Sequence, residues 1–334
     1  MSSPLRLRLD GDALTANWRW LATQGGGAAC GAAVKADGYG LGAREVVARL
    51  ARTGCRDFFV STWDEAVALG PLPDGCALSV LHGVRAEDMN VAVGAATRPV
   101  LNTPEQVARW RQTGLPCDVM IDTGMNRLGL SPRDDLSGLT IETLMSHLAC
   151  ADEDNPMNAA QFAAFAALDV PANRRSLANS AGICLGRDYA FNLTRPGLAL
   201  YGGIPRAEAV GNIAQVVFPE VQIIQCRRVG AGESVGYGAT FVATRDTDVA
   251  ILNIGYADGY LRAFSSRGSC GAGQFPVLGR VSMDLIAIDV TQGRVAEGEW
   301  VAVDYDLAAA SAASGLSQYE LLTGLGPRFE RHWL

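Results

Sequence analysis

From about residue 28 to 200, short apolar runs alternate with alanine-rich amphipathic stretches, and a chain patterned this way has few folds open to it. The runs at 29–34, 58–61, 77–81, 99–101, 119–122, 141–146, 175–178 and 198–201 read as eight strands. The stretches 43–53, 63–69, 103–112 and 158–168 carry apolar residues at i, i+3 and i+4 and read as helices between them. At Thr103-Pro104-Glu105 a capping residue precedes a proline in the first helical position. Eight such units favour an α/β fold of closed parallel (β/α)8 type over an open doubly wound sheet.

The texture changes after about residue 211. Segments 215–229, 248–254, 275–277, 285–290 and 300–303 are short, β-rich and separated by turns such as Val229-Gly230-Ala231-Gly232-Glu233. The expectation is a barrel domain over 1–212 and a mainly antiparallel β domain over 213–334. Near the start, Leu5, Leu7 and Leu9 alternate with Arg6 and Arg8, a strand pattern that lacks the apolar block of a signal peptide.

Composition narrows the class of partner. The chain of 334 residues is 49% hydrophobic and 19% charged with 38 Gly and 14 Pro, the balance of a turn-rich globular protein with ample core. Twenty-eight basic against 35 acidic side chains leave a net charge of −7 with no basic run, so nucleic acid is not an expected partner. No segment reaches the roughly 18 uninterrupted apolar residues of a membrane span. The eight cysteines are scattered without a C-x-x-C pair and read as reduced thiols in the cytosol, with no metal site expected.

A barrel of this kind places its chemistry at the C-terminal ends of its strands. There the sequence offers Lys35 and Asp37, the stretch 122–127, Ser146-His147, Asn179-Ser180 and Arg195. Solvated loop residues are the bland alternative for each, but their joint occurrence at strand ends favours a site. Lys35 emerges from an apolar strand into a glycine-rich turn, where partial desolvation lowers an amine's pKa and leaves it able to form a Schiff base. Two other readings stay open: a snorkelling surface lysine, and a nucleotide loop at 38–42, one residue short of G-x-G-x-x-G and without an acidic ribose partner. Of three histidines, His82 and His332 suit core and solvent respectively, which leaves His147 for the site. Arg195 precedes Pro196, Gly197 and Leu198, whose turn can present backbone N–H groups to an anion.

Eight motifs then occur in order: AVKADGYG at 33–40, DTGMNRLG at 122–129, SHL at 146–148, NSAG at 179–182, RPGLALYG at 195–202, GYGATF at 236–241, IGYADG at 254–259 and GRVSMD at 279–284. Together they resemble the alanine racemases, a family of pyridoxal-phosphate enzymes, over nearly the whole chain. The resemblance implies a TIM-type barrel followed by a β domain that takes in the N-terminal strand. It also implies a homodimer in which each site combines one barrel with the partner's β domain. Lys35 would hold pyridoxal 5'-phosphate as a Schiff base and act as one acid/base group, and Tyr237 of the other subunit would act as the second. Tyr39, Ser180, Gly197 and Leu198 would hold the cofactor's phosphate, Asn179 would also contact the cofactor, Arg195 would face the ring nitrogen, and His147, itself a cofactor contact, would bridge Arg195 and Tyr237. Arg127 and the Met283 N–H would bind the carboxylate of a small amino acid, alanine, and Tyr256 would narrow the entrance.

A permanently charged arginine at the ring nitrogen disfavours ring protonation, which argues against a decarboxylase. Retention of Tyr237 argues against a non-catalytic carrier. The implied activity is L/D-alanine interconversion, supplying D-alanine for peptidoglycan. Three departures stand out: Met120 where many relatives carry a lysine that orients the carboxylate-binding arginine, Ser282 in place of a cysteine, and Pro327 where a phosphate-binding tyrosine often sits. The last admits broader specificity, serine included.

Overall fold

A computed structural model describes residues 3–334 and divides the chain into two compact units. One comprises Leu14–Leu200 and Ile204–Ala214; the other comprises residues up to Ala13, Tyr201–Gly203 and Gln215–Leu334.

In the first unit, parallel strands follow in chain order: Ala32–Ala33, Asp57–Val60, Ala77–Val80, Thr97–Leu101, Cys117–Met120, Ile141–Met145 and Arg174–Ser176. Consecutive order is that of a barrel; a doubly wound sheet reverses at a switch point, so the nucleotide-loop alternative fails at this level. Leu193–Thr194 pairs in parallel with Ala29–Cys30, while the Asn192 N–H donates to the Arg175 carbonyl at 3.0 Å and the Arg195 N–H to the Ala178 carbonyl at 2.8 Å, which closes the circle. Gly31 joins Ala29–Cys30 to Ala32–Ala33, and a Cβ there would lie 2.8 Å from the Asp57 carbonyl oxygen and 3.2 Å from that of Thr194. Only glycine lets the first strand pass between its two neighbours.

The expected eighth strand at 198–201 is corrected by the structure: Leu198–Tyr201 is a turn of 3-10 helix, and the eighth strand is the shorter Leu193–Thr194. Leu198, Ala199, Leu200 and Tyr201 are all buried, and a buried turn carries the same unbroken apolar run as a buried strand. A helix at Gly11–Gln24 escapes the sequence reading for a related reason. Its buried face is Leu14, Asn17 and Leu21, so the apolar stripe is interrupted by an asparagine. The Asn17 amide is satisfied internally, donating to the Ala214 carbonyl at 2.9 Å and accepting from the Ala214 N–H at 2.8 Å. The helices Ala43–Thr53 and Trp63–Leu69 have the expected limits, and Thr62 and Thr103 cap theirs through N–H groups three residues on.

Strand parity builds the interior in layers. Phe59, Val100, Met120, Met145 and Leu193 form one apolar cluster. Two residues earlier on four of those strands stand Asp57, Arg98, Asp118 and Thr143, a polar layer. In it Arg174 forks onto Asp57 at 2.7 and 3.0 Å, and the buried Asp118 accepts from the Ser79 hydroxyl at 2.5 Å. Two residues later on the same strands stand Ser61, Asn102, Asp122, His147 and Arg195. Of the candidate site residues, Asp122, His147 and Arg195 therefore stand in the next inward-facing layer at the C-terminal ends.

In the second unit the strand order is Ser269–Cys270, Phe275–Leu278, Ile286–Asp289, Thr247–Leu252, Val217–Val229, Leu5–Leu9, Glu330–Trp333, with Trp300–Ala302 also on Val217–Val229. Every pairing is antiparallel except Leu5–Leu9 with Glu330–Trp333. Leu5, Leu7 and Leu9 point into the core, while Arg6 reaches Glu220 at 2.5 Å on the other face. Two helices, Leu307–Ser314 and Gln318–Thr323, interrupt this otherwise β unit.

Candidate active site

Lys35 leaves the first strand and is followed by five residues of positive φ: Ala36 (52°), Asp37 (52°), Gly38 (65°), Tyr39 (57°) and Gly40 (86°). This is a left-handed turn, closed by bonds from the Gly38 N–H to the Val34 carbonyl and from the Gly40 N–H to the Ala36 carbonyl, both 2.8 Å. For residues with a Cβ such a conformation costs about 1–2 kcal/mol each, so the turn exists only because its surroundings impose it. Asp37 accepts from the Ala43 N–H at 2.8 Å, and the Ala36 N–H donates to Glu65 at 2.8 Å. Burial lowers the Lys35 pKa, the Arg127 charge lowers it further, and the Glu65 carboxylate opposes both. The amine is closer to the neutral, nucleophilic form than a surface lysine, as the sequence reading requires of it.

Tyr39 is buried beneath the turn at 196–198. A Cβ on Gly197 would sit 2.1 Å from the Tyr39 hydroxyl, so this approach of phenol to backbone exists only with glycine at 197. The buried Ser180 hydroxyl accepts from the Gly197 N–H at 2.9 Å and from the Ala199 N–H at 3.2 Å. Asn179, read as a cofactor contact, spends its side-chain oxygen capping the Ser180–Cys184 helix through the Gly182 N–H at 2.8 Å. Tyr39, Ser180, Gly197 and Leu198 thus meet as a cluster of hydroxyls and main chain.

Arg195 is buried, donating to the Ser146 carbonyl at 2.6 Å and to the Ser176 hydroxyl. Burial draws its guanidinium down to about 10, the Asp118 charge opposing, and it stays a cation at neutral pH. His147 is pushed down to about 3 by burial first, then by Arg195, Arg127 and Lys35. Its ring is neutral in this field of cations.

Arg127 is exposed on the loop after the fifth strand. Asp122 shapes that loop: its Oδ1 accepts from the N–H groups of Gly124 (2.8 Å), Met125 (2.9 Å) and Asn126 (3.2 Å). Gly129, φ 137°, folds the loop back so closely that a Cβ would sit 2.7 Å from the Asp122 nitrogen. Met120, the departure noted in the sequence, packs in the apolar barrel layer. The loop of Arg127 is organised by Asp122 rather than by a residue at 120.

Tyr237, Tyr256 and Met283 belong to the second unit. Tyr237 lies between the hairpin strands Ser234–Val235 and Phe241–Val242 and is 67% exposed, which excludes a tyrosine that caps a core. Tyr256 is half-buried with the Arg262 guanidinium 5.3 Å from its ring centroid. Its loop is laced to that of Met283 by bonds of 3.0 Å from the Tyr256 N–H to the Ser282 carbonyl and from the Ala257 N–H to the Met283 carbonyl.

Four supporting residues, Glu65, Gln161, Asp258 and Arg328, were given no role by the sequence reading. The buried Gln161 donates to the His147 carbonyl at 3.0 Å and accepts from the Ala149 N–H at 2.8 Å. The buried Asp258 accepts from the Gly255 N–H at 2.9 Å and from Arg328 at 2.6 Å, while Arg328 also reaches Asp284 at 2.8 Å. Polar residues on a helix face or loop give no one-dimensional sign of which strand end they will meet. Polar residues on the inward face of an alanine-rich helix, Asn158 and Gln161 beside Phe165, are the one signal available. Among the described residues no cluster suited to a metal ion occurs, and no helix is long and apolar enough to cross a membrane.

Residues 9–205 match the family model for the N-terminal domain of alanine racemase, and residues 216–333 match that for its C-terminal domain. The chain belongs to the alanine racemase family. Among curated members, the alanine racemase of Jannaschia sp. (strain CCS1) is 44% identical, with 97% of each chain covered. In Agrobacterium fabrum (strain C58) a catabolic alanine racemase is 42% identical, covering 98% of this chain and 92% of its own, and a biosynthetic one 39%, covering 99% and 94%. The crystal structure of alanine racemase from Bartonella henselae with covalently bound pyridoxal phosphate superposes with a TM-score of 0.93 at 32% identity over the whole of both chains. The barrel followed by a β unit is thus the family fold.

Proposed function

We propose that this racemase-family chain interconverts L- and D-alanine with pyridoxal phosphate as its cofactor. The observation that carries the reading is the convergence, at one end of the barrel, of a pKa-lowered lysine, a buried permanent cation and a glycine-floored cluster of N–H and hydroxyl groups. That set fits the cofactor: Lys35 for covalent attachment, Arg195 for the ring nitrogen, and Tyr39, Ser180, Gly197 and Leu198, with Asn179 fixing the Ser180 helix, for the phosphate. Gly197, which admits no Cβ, lets the Tyr39 hydroxyl lie against this turn, and that supports Tyr39 as a partner of the phosphate there.

When bound, pyridoxal phosphate supplies the electron-withdrawing group that acidifies the substrate Cα–H. The remaining work belongs to the protein. Arg195, charged at neutral pH, presents a cation to the ring nitrogen and tempers that withdrawal, which disfavours loss of carbon dioxide and favours proton exchange at Cα. Arg127 anchors the substrate carboxylate with the Met283 N–H, and Tyr256 limits side-chain size. Lys35 removes or returns the proton on one face, and Tyr237 of a second copy serves the other. The exposure of Tyr237 and Met283, 67% and 53%, supports a homodimer in which these residues complete another chain's site. His147, neutral and flanked by Arg195, is suited to relay hydrogen bonding between Arg195 and Tyr237. We further propose a cytoplasmic enzyme, supported by eight free cysteines, whose D-alanine feeds peptidoglycan.

The purified protein with pyridoxal phosphate should convert L-alanine to an equal mixture of enantiomers. Lys35→Ala should abolish covalently held cofactor, and Tyr237→Phe should selectively suppress Cα exchange from L-alanine in deuterated water. Retained covalent cofactor in Lys35→Ala, or equal suppression from both enantiomers in Tyr237→Phe, overturns the two-group assignment.

A further inference from the structure

Glu65 lies on the helix Trp63–Leu69, which starts immediately after the second barrel strand. The helix is fixed at both levels. The Thr62 hydroxyl accepts from the Glu65 N–H at 3.2 Å, and the buried Trp63 donates its indole N–H to the Gly83 carbonyl at 2.8 Å. From this platform the two oxygens of one carboxylate go to two different strand ends. Oε1 accepts from the Ala36 N–H at 2.8 Å, the first amide after Lys35, and Oε2 accepts from the Ser61 N–H at 2.6 Å, the first amide after the strand Asp57–Val60. Both are charge-assisted bonds, and both bonded oxygens belong to a side chain already held by its helix.

The segment so fastened is the left-handed turn at 36–40, which the chain does not adopt unaided because Ala36, Asp37 and Tyr39 each carry a Cβ. Asp37 holds its far end through Ala43, and Gly38 lets that end approach: a Cβ there would lie 3.1 Å from Ala43 main-chain atoms. At the near end the turn's own main-chain bond, from Gly38 to Val34, is joined by a side-chain bond from Ala36 to Glu65. We infer that Glu65 is a positioning residue: by tying the amides that follow the first two barrel strands to one carboxylate, it imposes the left-handed turn that sets Lys35 and Tyr39 in register. It acts through the turn and without contact to substrate. Its negative charge facing Lys35 is a second effect in the same place.

This inference rests on the reading that Lys35 holds the cofactor, and the test separates the two. In Glu65→Gln one acceptor oxygen is replaced by an amide N–H group that faces a backbone donor. In cofactor-free protein, hydrogen exchange at amides 36–40 should quicken by about tenfold or more while the strand Ile141–Met145 keeps its protection. Pyridoxal phosphate should be retained about tenfold less tightly on dialysis. Adding Ala36→Gly, which takes positive φ without steric cost, should recover part of both losses, a rescue that general destabilisation does not predict. Glu65→Asp, one methylene too short to span both amides, carries the same measurements if the glutamine variant does not fold. Unchanged exchange at 36–40 with unchanged cofactor retention, or exchange that rises uniformly over the barrel, overturns the inference. Lys35→Ala run in parallel isolates the other premise: if that variant keeps covalent cofactor, the lysine assignment fails, and exchange at 36–40 alone decides on Glu65.

Discussion

Replacing Ser180 by alanine tests the cluster beneath the proposed phosphate site, and its cost follows from the geometry. The hydroxyl accepts from the N–H groups of Gly197 and Ala199 at 2.9 and 3.2 Å, and all three residues are buried. Alanine has nearly the same volume, so the change leaves two dry donors without an acceptor and little else altered. A buried donor that loses its partner costs about 1–3 kcal/mol, which puts Ser180→Ala at about 2–6 kcal/mol. Against a total stability on the order of 5–15 kcal/mol this is a large fraction. For a unit of this size it lowers the melting temperature by roughly 5–20 °C. Calorimetry or near-ultraviolet dichroism on the cofactor-free protein reads the shift directly, and Ser180→Cys, which keeps a weak acceptor, should fall between parent and alanine. A melting temperature within about 1 °C of the parent would refute the reasoning, because it would mean that the Gly197 and Ala199 amides find another acceptor without cost.

Two more expectations concern acid and loop packing. His147 has a folded pKa near 3 against an ordinary 6.5, so between those values the unfolded chain binds a proton that the native chain does not, and stability falls as pH falls through that window. At 1.36 kcal/mol per pH unit a fully dry ring would lose about 5 kcal/mol by pH 3; His147 is half-buried, which reduces the loss to the order of 2–4 kcal/mol. Parallel loss of stability in parent and His147→Gln over pH 6.5 to 3 would contradict it. Gly255→Ala would set a Cβ 2.3 Å from the Met283 carbonyl oxygen and 2.4 Å from that of Ser282, neither of which is a flexible side-chain end. The loops of Tyr256 and Met283 must part, with a stability loss of about 1–3 kcal/mol and a raised KM for alanine; unchanged values of both would count against the lacing of these loops.

Glycine and helix-capping signals were legible residue by residue. Thr103 caps its helix as the pattern foretold, and the helix Ala43–Thr53 begins and ends where its apolar stripe does. The strand-end polar residues also lay where a barrel reading puts them, because inward-facing positions recur every second residue: Val100, Met120, Met145 and Leu193 predict the facing of Asn102, Asp122, His147 and Arg195. The failures have one cause. Leu198–Tyr201 looks like a strand and is a turn, while the stripe of the Gly11–Gln24 helix is broken by Asn17, which is buried because Ala214 satisfies its amide. In both, burial by distant residues overrides what local periodicity says.

The order of apolar runs, turns and motifs along the chain is enough to specify a parallel barrel with a β unit after it, because pattern period and capping act over a few residues and are written in one dimension. Which polar groups meet is set by closure of that barrel. Glu65 finds Ala36 and Ser61, Gln161 finds His147, and Arg174 finds Asp57 across strands far apart in sequence. The desolvation of Lys35 is signalled by its local apolar setting, but the cations that depress proton affinity further at Lys35 and His147 are brought close only by folding.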